Sequence, residues 1–342
     1  MPAALMGNGS VHLTYHWHLH QPIYWPENKP GLNRVQFAAE SVDIKAGGGN
    51  RYPGSPYAHP RNNLAGGDGE YDAVFDKDDR RAAYQYGGKN SLATLSAHPD
   101  AGASISYSGS LMDNVWSFGK DNRLGYGPDW NQGYTQARGW KTTGGYPKAD
   151  LVGMTYHHSL GPLLPASVLL KEIEIFKEIW WKTWSGNPDK SDHSQGFWPV
   201  EAAFSESMIP ILVEQGYAWA IVANSHLART CLNYMQVATR GPSGYNIDPP
   251  NPADVLGPYV PREQWFSGTR DGRGGIFPVP FAYQAHRARY VNPATGAESS
   301  IIVVPMLPEL RKWIWRHGNR SHRRQDFSFQ RCRSTLSGFD GA

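Results

Sequence analysis

The feature that most constrains the fold is a two-residue alternation near the start of the chain. Residues 11–22 read VHLTYHWHLHQP, with apolar or aromatic side chains at every second position and polar side chains between them. Because successive side chains of a β-strand point to opposite faces, the alternation predicts a strand that places His16, His18 and His20 in one row. We expect Pro22 to end this strand.

Further predicted strands alternate with predicted helices along the chain. The strands are expected at 103–108, 151–155, 217–223, 275–279 and 301–304, and the helices at 71–95, 166–184 and 207–215. Residues 46–69 are rich in Gly, Pro and Asn and predict a long loop. Strands separated by helices indicate an α/β, barrel-like architecture, in which chemistry is located where strands end and loops begin.

The composition excludes several classes of protein. Aromatic residues make up 13% of the 342 residues, and the chain has 37 Gly and 26 Pro. Disordered chains lack aromatic residues, and charged coiled coils lack Gly and Pro, so both classes are excluded. No apolar run approaches the roughly 18 residues of a membrane span, no leader peptide is recognisable, and two cysteines cannot form a disulfide framework. We therefore expect a soluble, cytoplasmic protein that does not bind membranes.

The last part of the chain differs from the rest. Residues 309–342 hold eight Lys and Arg against three acidic residues, whereas the preceding residues hold 25 basic and 27 acidic ones. No hydrophobic period is visible there, and no recognisable nucleic-acid-binding module is present. We expect one domain over 1–306 and a basic, unpatterned tail over 307–342, which a shift of reading frame near Leu307 would explain.

Three predicted strand ends gather polar and aromatic residues. They read HWHLHQP at 16–22, YHHSLGPLLP at 156–165 and FWPVEAAFSES at 197–207. In the third, Glu201 follows a Trp-Pro-Val run and precedes a predicted helix, so its carboxylate is expected to face the mouth of a barrel. The tryptophans within 116–140 are further candidates for a platform on which a sugar ring stacks.

These three segments resemble the first, second and third sequence regions of glycoside hydrolase family 57. Their order and spacing match, and the resemblance extends over roughly residues 11–305. It implies a distorted (β/α)7 TIM-like barrel as the catalytic domain. It also implies cleavage or transfer of α-glucan linkages with retention of configuration, without a metal or another cofactor.

The resemblance also implies roles for individual residues. Glu201 corresponds to the nucleophile, and His20 and Gln21 of the HQP element correspond to residues that bind the sugar at the cleavage site. Trp198 is implied to be a stacking or wall residue, and His158 a substrate contact of the second region.

Two more histidines are candidate sugar contacts. His18 belongs to the row on the first strand, and His226 follows the predicted strand 217–223. A hydrogen bond within its loop explains His226 equally well. An α-glucan or oligosaccharide is the expected ligand.

Retention requires a second carboxyl group, which should lie roughly 5–5.5 Å from the nucleophile. The resemblance implies an Asp at a later strand end. Asp271 lies in a loop-like stretch and Asp340 lies close to the last residue, so neither matches that region. The general acid is therefore unassigned, and a family member that binds glucan without turning it over is one alternative.

A metal-dependent hydrolase is a second alternative. Imidazoles two residues apart on one strand, such as those of His16 and His18, are able to bind zinc together. His157, His158 and His226 are the candidate partners. The HQP continuation is unnecessary for a metal site and favours sugar binding.

Purely structural interpretations exist for the same residues. The histidine row is also explained as a hydrogen-bonded face of a barrel strand. Glu201 alone is also explained as an acid in the first turn of a helix, where the helix macrodipole stabilises a negative charge.

Overall fold

The computed structural model describes residues 15–22, 25–26, 35–39, 75, 82–87, 95–186, 192–223, 269–270, 276–277 and 285–306. The chain divides into two compact units. The first comprises Met1–Val222 with Ala285–Val304, and the second comprises Ala223–Gln284 with Pro305–Ala342. Every described residue of the candidate site belongs to the first unit.

The elements are short strands and helices. The strands are β1 Tyr15–Leu19, β2 Trp25–Pro26, β3 Val35–Gln36, β4 Ala103–Tyr107, β5 Ala149–Leu151, β6 Gly196–Phe197, β7 Trp219–Ala223, β8 Thr269–Arg270, β9 Ile276–Phe277, β10 His286–Val291 and β11 Glu298–Met306. The α-helices are α1 Gly109–Gly119, α2 Gln132–Arg138, α3 Ala166–Trp180 and α4 Ile209–Glu214. Short 3₁₀ turns cover Arg123–Gly125, Gly161–Leu163, Val200–Ala202 and Glu206–Met208, and π-helical turns cover Ala82–Gly87 and Trp181–Ser185.

The first unit contains two sheets with parallel strands. β1, β4 and β5 form a parallel sheet in that order, and a second sheet has the order β10-β11-β7-β6 with β6 and β7 parallel. Gly153, just after β5, links the two sheets, because its N–H donates to the Gly196 carbonyl at 2.9 Å and its carbonyl accepts from Trp198 at 2.7 Å. β1, β4, β5, β6 and β7 thus follow one another in chain order, and their carboxyl ends lie at one edge.

Two further pairs of short strands are antiparallel. β2 pairs with β3 in the first unit, and β8 pairs with β9 in the second. β10 also runs antiparallel to β11. The described residues therefore form a mixed α/β structure, which confirms the predicted class at this level.

Several predicted elements have different bounds. The first strand is confirmed over Tyr15–Leu19, but the strand expected at 151–155 ends at Leu151, because beyond it only Gly153 keeps a bridge to β6. The helix expected at 166–184 is α3 followed by a π turn, and the last predicted strand lies within the longer β11. The loop 46–69 and the tail 307–342 lie outside the described residues.

An aromatic cluster forms much of the core. The rings of Tyr107, Trp130, Tyr134 and Trp184 contact one another, and Trp130 is only 3% exposed. The expectation that Trp130 offers a platform to a sugar is therefore wrong, because the residue is buried among other aromatic side chains. Trp180 is also buried and donates to the Leu151 carbonyl at 2.7 Å. In the described part of the chain, no helix combines the length and apolar character needed to cross a membrane.

Candidate active site at the strand ends

β1 and β4 place a row of imidazoles beside a row of hydroxyls. The parallel register sets His16 opposite Ser104 and His18 opposite Ser106. Nδ1 and Nε2 of His16 lie 2.9 and 3.0 Å from the hydroxyls of Ser104 and Ser106, and Nδ1 of His18 lies 2.9 Å from the same Ser106 hydroxyl. Because Ser106 has one proton, it donates to at most one of these imidazoles and accepts from at least one, so their tautomers are coupled.

The third histidine of the row is fixed by the start of α1. Ser108 is the N-cap of α1, and its hydroxyl accepts from the Leu111 N–H at 3.2 Å. Ser110 donates its only hydroxyl proton to the Gln21 carbonyl at 2.7 Å, so in its 3.1 Å bond with Ser108 it accepts. The proton of Ser108 is thereby used, and the 2.8 Å bond to Nδ1 of His20 requires the imidazole to donate. This count leaves Nε2 of His20 as a hydrogen-bond acceptor.

Gln21 lies beside His20 at the same strand end. Its side-chain amide donates to the Tyr84 hydroxyl at 2.7 Å, and Tyr84 is buried in the π turn Ala82–Gly87. Hydrogen bonds with neighbouring segments therefore hold the side chains of His20 and Gln21 in the HQP element.

The loop after β5 separates two adjacent histidines. His157 points to α3, where Glu172 accepts from its backbone N–H at 2.9 Å and contacts its Nδ1 at 2.6 Å. His158 has a φ of 63° in a turn closed by its N–H on the Thr155 carbonyl at 3.4 Å. A positive φ is uncommon for a residue other than Gly, and it turns His158 away from the direction that His157 takes.

His158 packs on the row of imidazoles. Its ring stacks on His20 with centroids 3.9 Å apart and an interplanar angle of 14°. Its Nε2 lies 2.8 Å from Nε2 of His18, a hydrogen bond in which one of the two imidazoles carries the proton. Three strand ends thus contribute to one polar cluster.

The carboxylate of Glu201 completes this cluster from the end of β6. Its Oε1 lies 3.7 Å from Nε2 of His158, and its side chain is 67% exposed. Glu201 and Ala202 have φ values of 54° and 56°, so two consecutive residues occupy the left-handed region in the tight turn Val200–Ala202. Helical structure resumes only at Glu206, so the interpretation of Glu201 as a first-turn helix acid is wrong.

Trp198 lies behind the imidazoles. Its ring centroid is 4.8 Å from that of His16 and 5.8 Å from that of His18, and the residue is 6% exposed. Its indole N–H is buried and has no acceptor among the described residues. The ring supports the histidine row from behind, with little of its face open to a ligand.

His16, His20 and His158 are held in their neutral form. Burial lowers the pKa of His16 to about 4, and burial together with the neighbouring His158 lowers the pKa of His20 to about 4. Burial also lowers the pKa of His158, and the Glu201 carboxylate opposes this only in part. Near neutral pH these side chains therefore act as hydrogen-bonding groups and not as cations.

The structure brings together most of the predicted site residues. They are His18, His20, Gln21, His158, Trp198 and Glu201. His226, Asp271 and Asp340 lie outside the described residues.

Two of the histidines considered for a zinc site, His16 and His157, are engaged with other partners. Both nitrogens of His16 are taken by serines, and His157 faces Glu172. Among the described residues, the group able to hold a metal ion is instead His18, His158 and Glu201, whose ligand atoms lie within 4.8 Å of one another.

Sequence reasoning missed the hydroxyl row. Its members are Ser104, Ser106, Ser108 and Ser110, all at most 6% exposed. Their spacing of two is visible in the sequence and would have indicated a second polar strand face.

Together these features define an α/β protein whose candidate site, rich in imidazoles, lies at the carboxyl ends of parallel strands. The family model described as Glycosyl hydrolase family 57 matches residues 104–249, which contain His158, Trp198 and Glu201. This match confirms, over residues 104–249, the resemblance to glycoside hydrolase family 57 that the sequence motifs indicate.

Known proteins show the same likeness. A curated relative named Alpha-amylase, from Niallia circulans, is 30% identical over 323 residues, which cover 87% of this chain and 24% of that protein. A 4-alpha-glucanotransferase structure from Thermococcus litoralis has 14% identity and a TM-score of 0.42, with 88% of this chain and 28% of that chain covered. The alpha-amylase AmyC structure from Thermotoga maritima has 12% identity and a TM-score of 0.36, with 68% and 44% covered. This chain thus spans about a quarter of the length of the curated relative.

Proposed function

We propose that this chain carries the catalytic region of a retaining glycoside hydrolase or glucan transferase that acts on α-glucan polysaccharides or oligosaccharides. The family match and the curated relative named Alpha-amylase support the substrate class. The observation that carries the proposal is the Glu201 carboxylate, which is 67% exposed at a parallel strand end and lies 3.7 Å from Nε2 of His158. A sugar is thus able to reach the carboxylate while contacting the imidazoles.

The proposed reaction is a double displacement. A carboxylate oxygen of Glu201 bonds to the anomeric carbon while the bond from that carbon to the glycosidic oxygen breaks. The leaving oxygen takes a proton from a second carboxyl group. Water or a sugar hydroxyl then attacks the anomeric carbon, frees the carboxylate and returns a proton to the second group. Two inversions give net retention.

The imidazoles and Gln21 are proposed to orient the sugar. Nε2 of His20 is an acceptor in the proton count, and its low pKa keeps it so, which suits a hydrogen bond from a sugar hydroxyl. His18, His158 and His226 are proposed as further contacts, and Trp198 as a wall residue.

The parallel row β1, β4, β5, β6 and β7 is proposed to belong to a distorted (β/α)7 barrel within residues 1–306. Two observations support this proposal: the order of the strands, and the His and Ser side chains that share one face of β1 and β4. Parallel strands covered by helices on both faces are normally apolar throughout, so a face of His and Ser side chains favours a strand surface that borders a ligand cavity.

The proposal is tested with the full chain and 4-nitrophenyl maltooligosaccharides, whose leaving group departs without a general acid. We expect Glu201→Ala to reduce kcat by roughly 10³-fold or more, because the attacking group is lost. Azide should restore turnover and yield a glycosyl azide of inverted configuration, since the small anion fills the place of the carboxylate. Glu206→Gln, at an exposed glutamate close in sequence, is the matched control and should retain activity.

The outcomes discriminate among the functional classes. Full activity of Glu201→Ala would refute the nucleophile assignment. A wild-type chain that binds maltooligosaccharides but releases neither nitrophenol nor shorter sugars would instead support a glucan-binding protein without turnover. Reducing-end analysis of natural maltooligosaccharide products separates hydrolysis from transfer.

A further inference from the structure

We propose that His18, His158 and Glu201 form a binding site for a divalent transition-metal ion, and that the ion blocks the glucan site. The three ligand atoms are Nε2 of His18, Nε2 of His158 and Oε1 of Glu201. The two imidazole nitrogens are 2.8 Å apart, and the carboxylate oxygen is 3.7 Å from the nitrogen of His158. Ligand atoms about 2.0–2.1 Å from a tetrahedral zinc ion stand about 3.3 Å apart, a value between these two distances.

The shared proton between the imidazoles marks the place of the ion. A separation of 2.8 Å between two nitrogens requires one proton between two lone pairs. A metal ion replaces that proton and accepts both lone pairs. Small rotations of the side chains are sufficient, because the three ligand atoms already lie within 4.8 Å of one another.

A buried serine fixes the tautomer that a metal ligand needs. Nδ1 of His18 lies 2.9 Å from the hydroxyl of Ser106, whose exposure is 0%. When Nδ1 donates to this hydroxyl, the lone pair of Nε2 is directed to the ion, which is the usual support of a metal-binding histidine. Ser106 then donates to Nε2 of His16, so the whole row adopts one consistent set of tautomers.

The donor set selects the class of metal. Two imidazoles and one carboxylate suit Zn²⁺, Co²⁺ or Ni²⁺, whereas Ca²⁺ and Mg²⁺ prefer oxygen ligands. The exposed side of Glu201 leaves a further coordination position for water. The site therefore differs from a closed structural zinc site.

Metal binding should exclude the sugar reaction. A Glu201 oxygen that coordinates an ion has its lone pair engaged and does not attack an anomeric carbon. The inhibitory part of this inference rests on the proposed function, whereas the binding part does not. The test therefore measures binding and turnover separately.

The experiment uses the chelator-treated full chain and CoCl₂ or ZnCl₂ alone. Titration with cobalt, followed by visible absorption, and titration with zinc, followed by calorimetry, should each show one binding site per chain. Glu201→Gln and His158→Ala should each weaken it by more than about 100-fold, because even outer partners of metal ligands are worth about 10–100-fold. His98→Ala, at an exposed histidine outside the cluster, is the control and should bind as the wild type. Glu201→Gln changes an exposed side chain, so its result does not depend on refolding of a buried site.

Each outcome has a defined meaning. One site lost in both variants, with zinc inhibiting turnover of 4-nitrophenyl maltooligosaccharide competitively, supports the proposal. Absence of a site, or a site that survives both substitutions, overturns it whether or not the chain is a glycosidase. Binding without inhibition overturns the blocking role. Activity that is lost with chelator and restored by zinc keeps the metal site but overturns the proposed double displacement in favour of a metal-dependent hydrolase.

Discussion

Replacement of Ser106 by Ala is expected to weaken both the fold and the candidate site. The Ser106 hydroxyl is fully buried and lies 3.0 Å from Nε2 of His16 and 2.9 Å from Nδ1 of His18. Its removal leaves two imidazole nitrogens without this partner on one sheet face. A buried polar atom left unsatisfied costs about 1–3 kcal/mol, so the free energy of unfolding should fall by about 2–4 kcal/mol.

The effect on catalysis follows from the same contact. Without Ser106, Nδ1 of His18 loses the hydroxyl group that fixes its tautomer and orientation. Displacement of a substrate-contacting residue by about 1 Å lowers the rate on the order of 10²-fold. We therefore expect kcat/KM to fall by roughly 10- to 100-fold. Urea denaturation measures the first quantity, and turnover of 4-nitrophenyl maltooligosaccharide measures the second.

Ser117→Ala is the matched control for this prediction. Ser117 lies on α1, and its hydroxyl donates at 2.7 Å to the Asn114 carbonyl of the same helix. Its loss affects one local bond, so the free energy of unfolding should change by less than about 0.5 kcal/mol. A Ser106→Ala variant as stable and as active as Ser117→Ala would show that the hydroxyl row does not support the imidazoles.

Two further substitutions test the loop after β5. Hydrogen bonds from His157 outweigh the effect of burial and lower the pKa of Glu172, so this carboxylate stabilises the fold above pH about 4.5 and ceases to do so as pH falls through its lowered pKa. Glu172→Gln should therefore lower the free energy of unfolding by about 1–3 kcal/mol at pH 7 and by progressively less below pH about 4. Urea denaturation at several pH values measures this difference. A difference that does not change with pH would contradict this account. Gly109→Ala should cost about 1–3 kcal/mol, because a Cβ there would lie 2.1 Å from Cδ2 of Tyr156. An unchanged thermal midpoint would show that Tyr156 moves freely.

The row of imidazoles was predictable from the sequence, whereas the pairing of each histidine with a particular serine was not. Period two alone places His16, His18 and His20 on one face, and the structure confirms this, because all three contact serines of β4 or of the N-cap that follows it. The matching period in 104–110 is equally visible. Which histidine meets which serine depends on strand register, which long-range packing determines and local sequence does not encode.

Turns with positive φ at His158 and at Glu201 account for two further differences between the structure and the sequence-based expectations. Nothing in the sequence distinguishes His157 from His158, because a positive φ is ordinarily read from Gly, and neither position has one. The same holds for Glu201, which the sequence placed before a helix and the structure places in a separate tight turn. In both cases the unusual backbone directs a candidate site residue into the cluster, a placement typical of strained residues at functional sites.

The cluster combines a rigid part and an accessible part, and the division has a physical reason. Buried imidazoles and hydroxyls are tolerated on a sheet face only when their polar atoms are paired, and the pairing of His16 with Ser104 and Ser106 satisfies this condition without any ligand. Glu201, in contrast, is mostly exposed and has a long 3.7 Å contact with His158. A sugar or metal ion that bound as proposed would therefore interact with the carboxylate without breaking the hydrogen bonds of His16. In this arrangement His16, which lies farther from Glu201, would fix the positions of His18 and His158 through the shared serines and ring contacts.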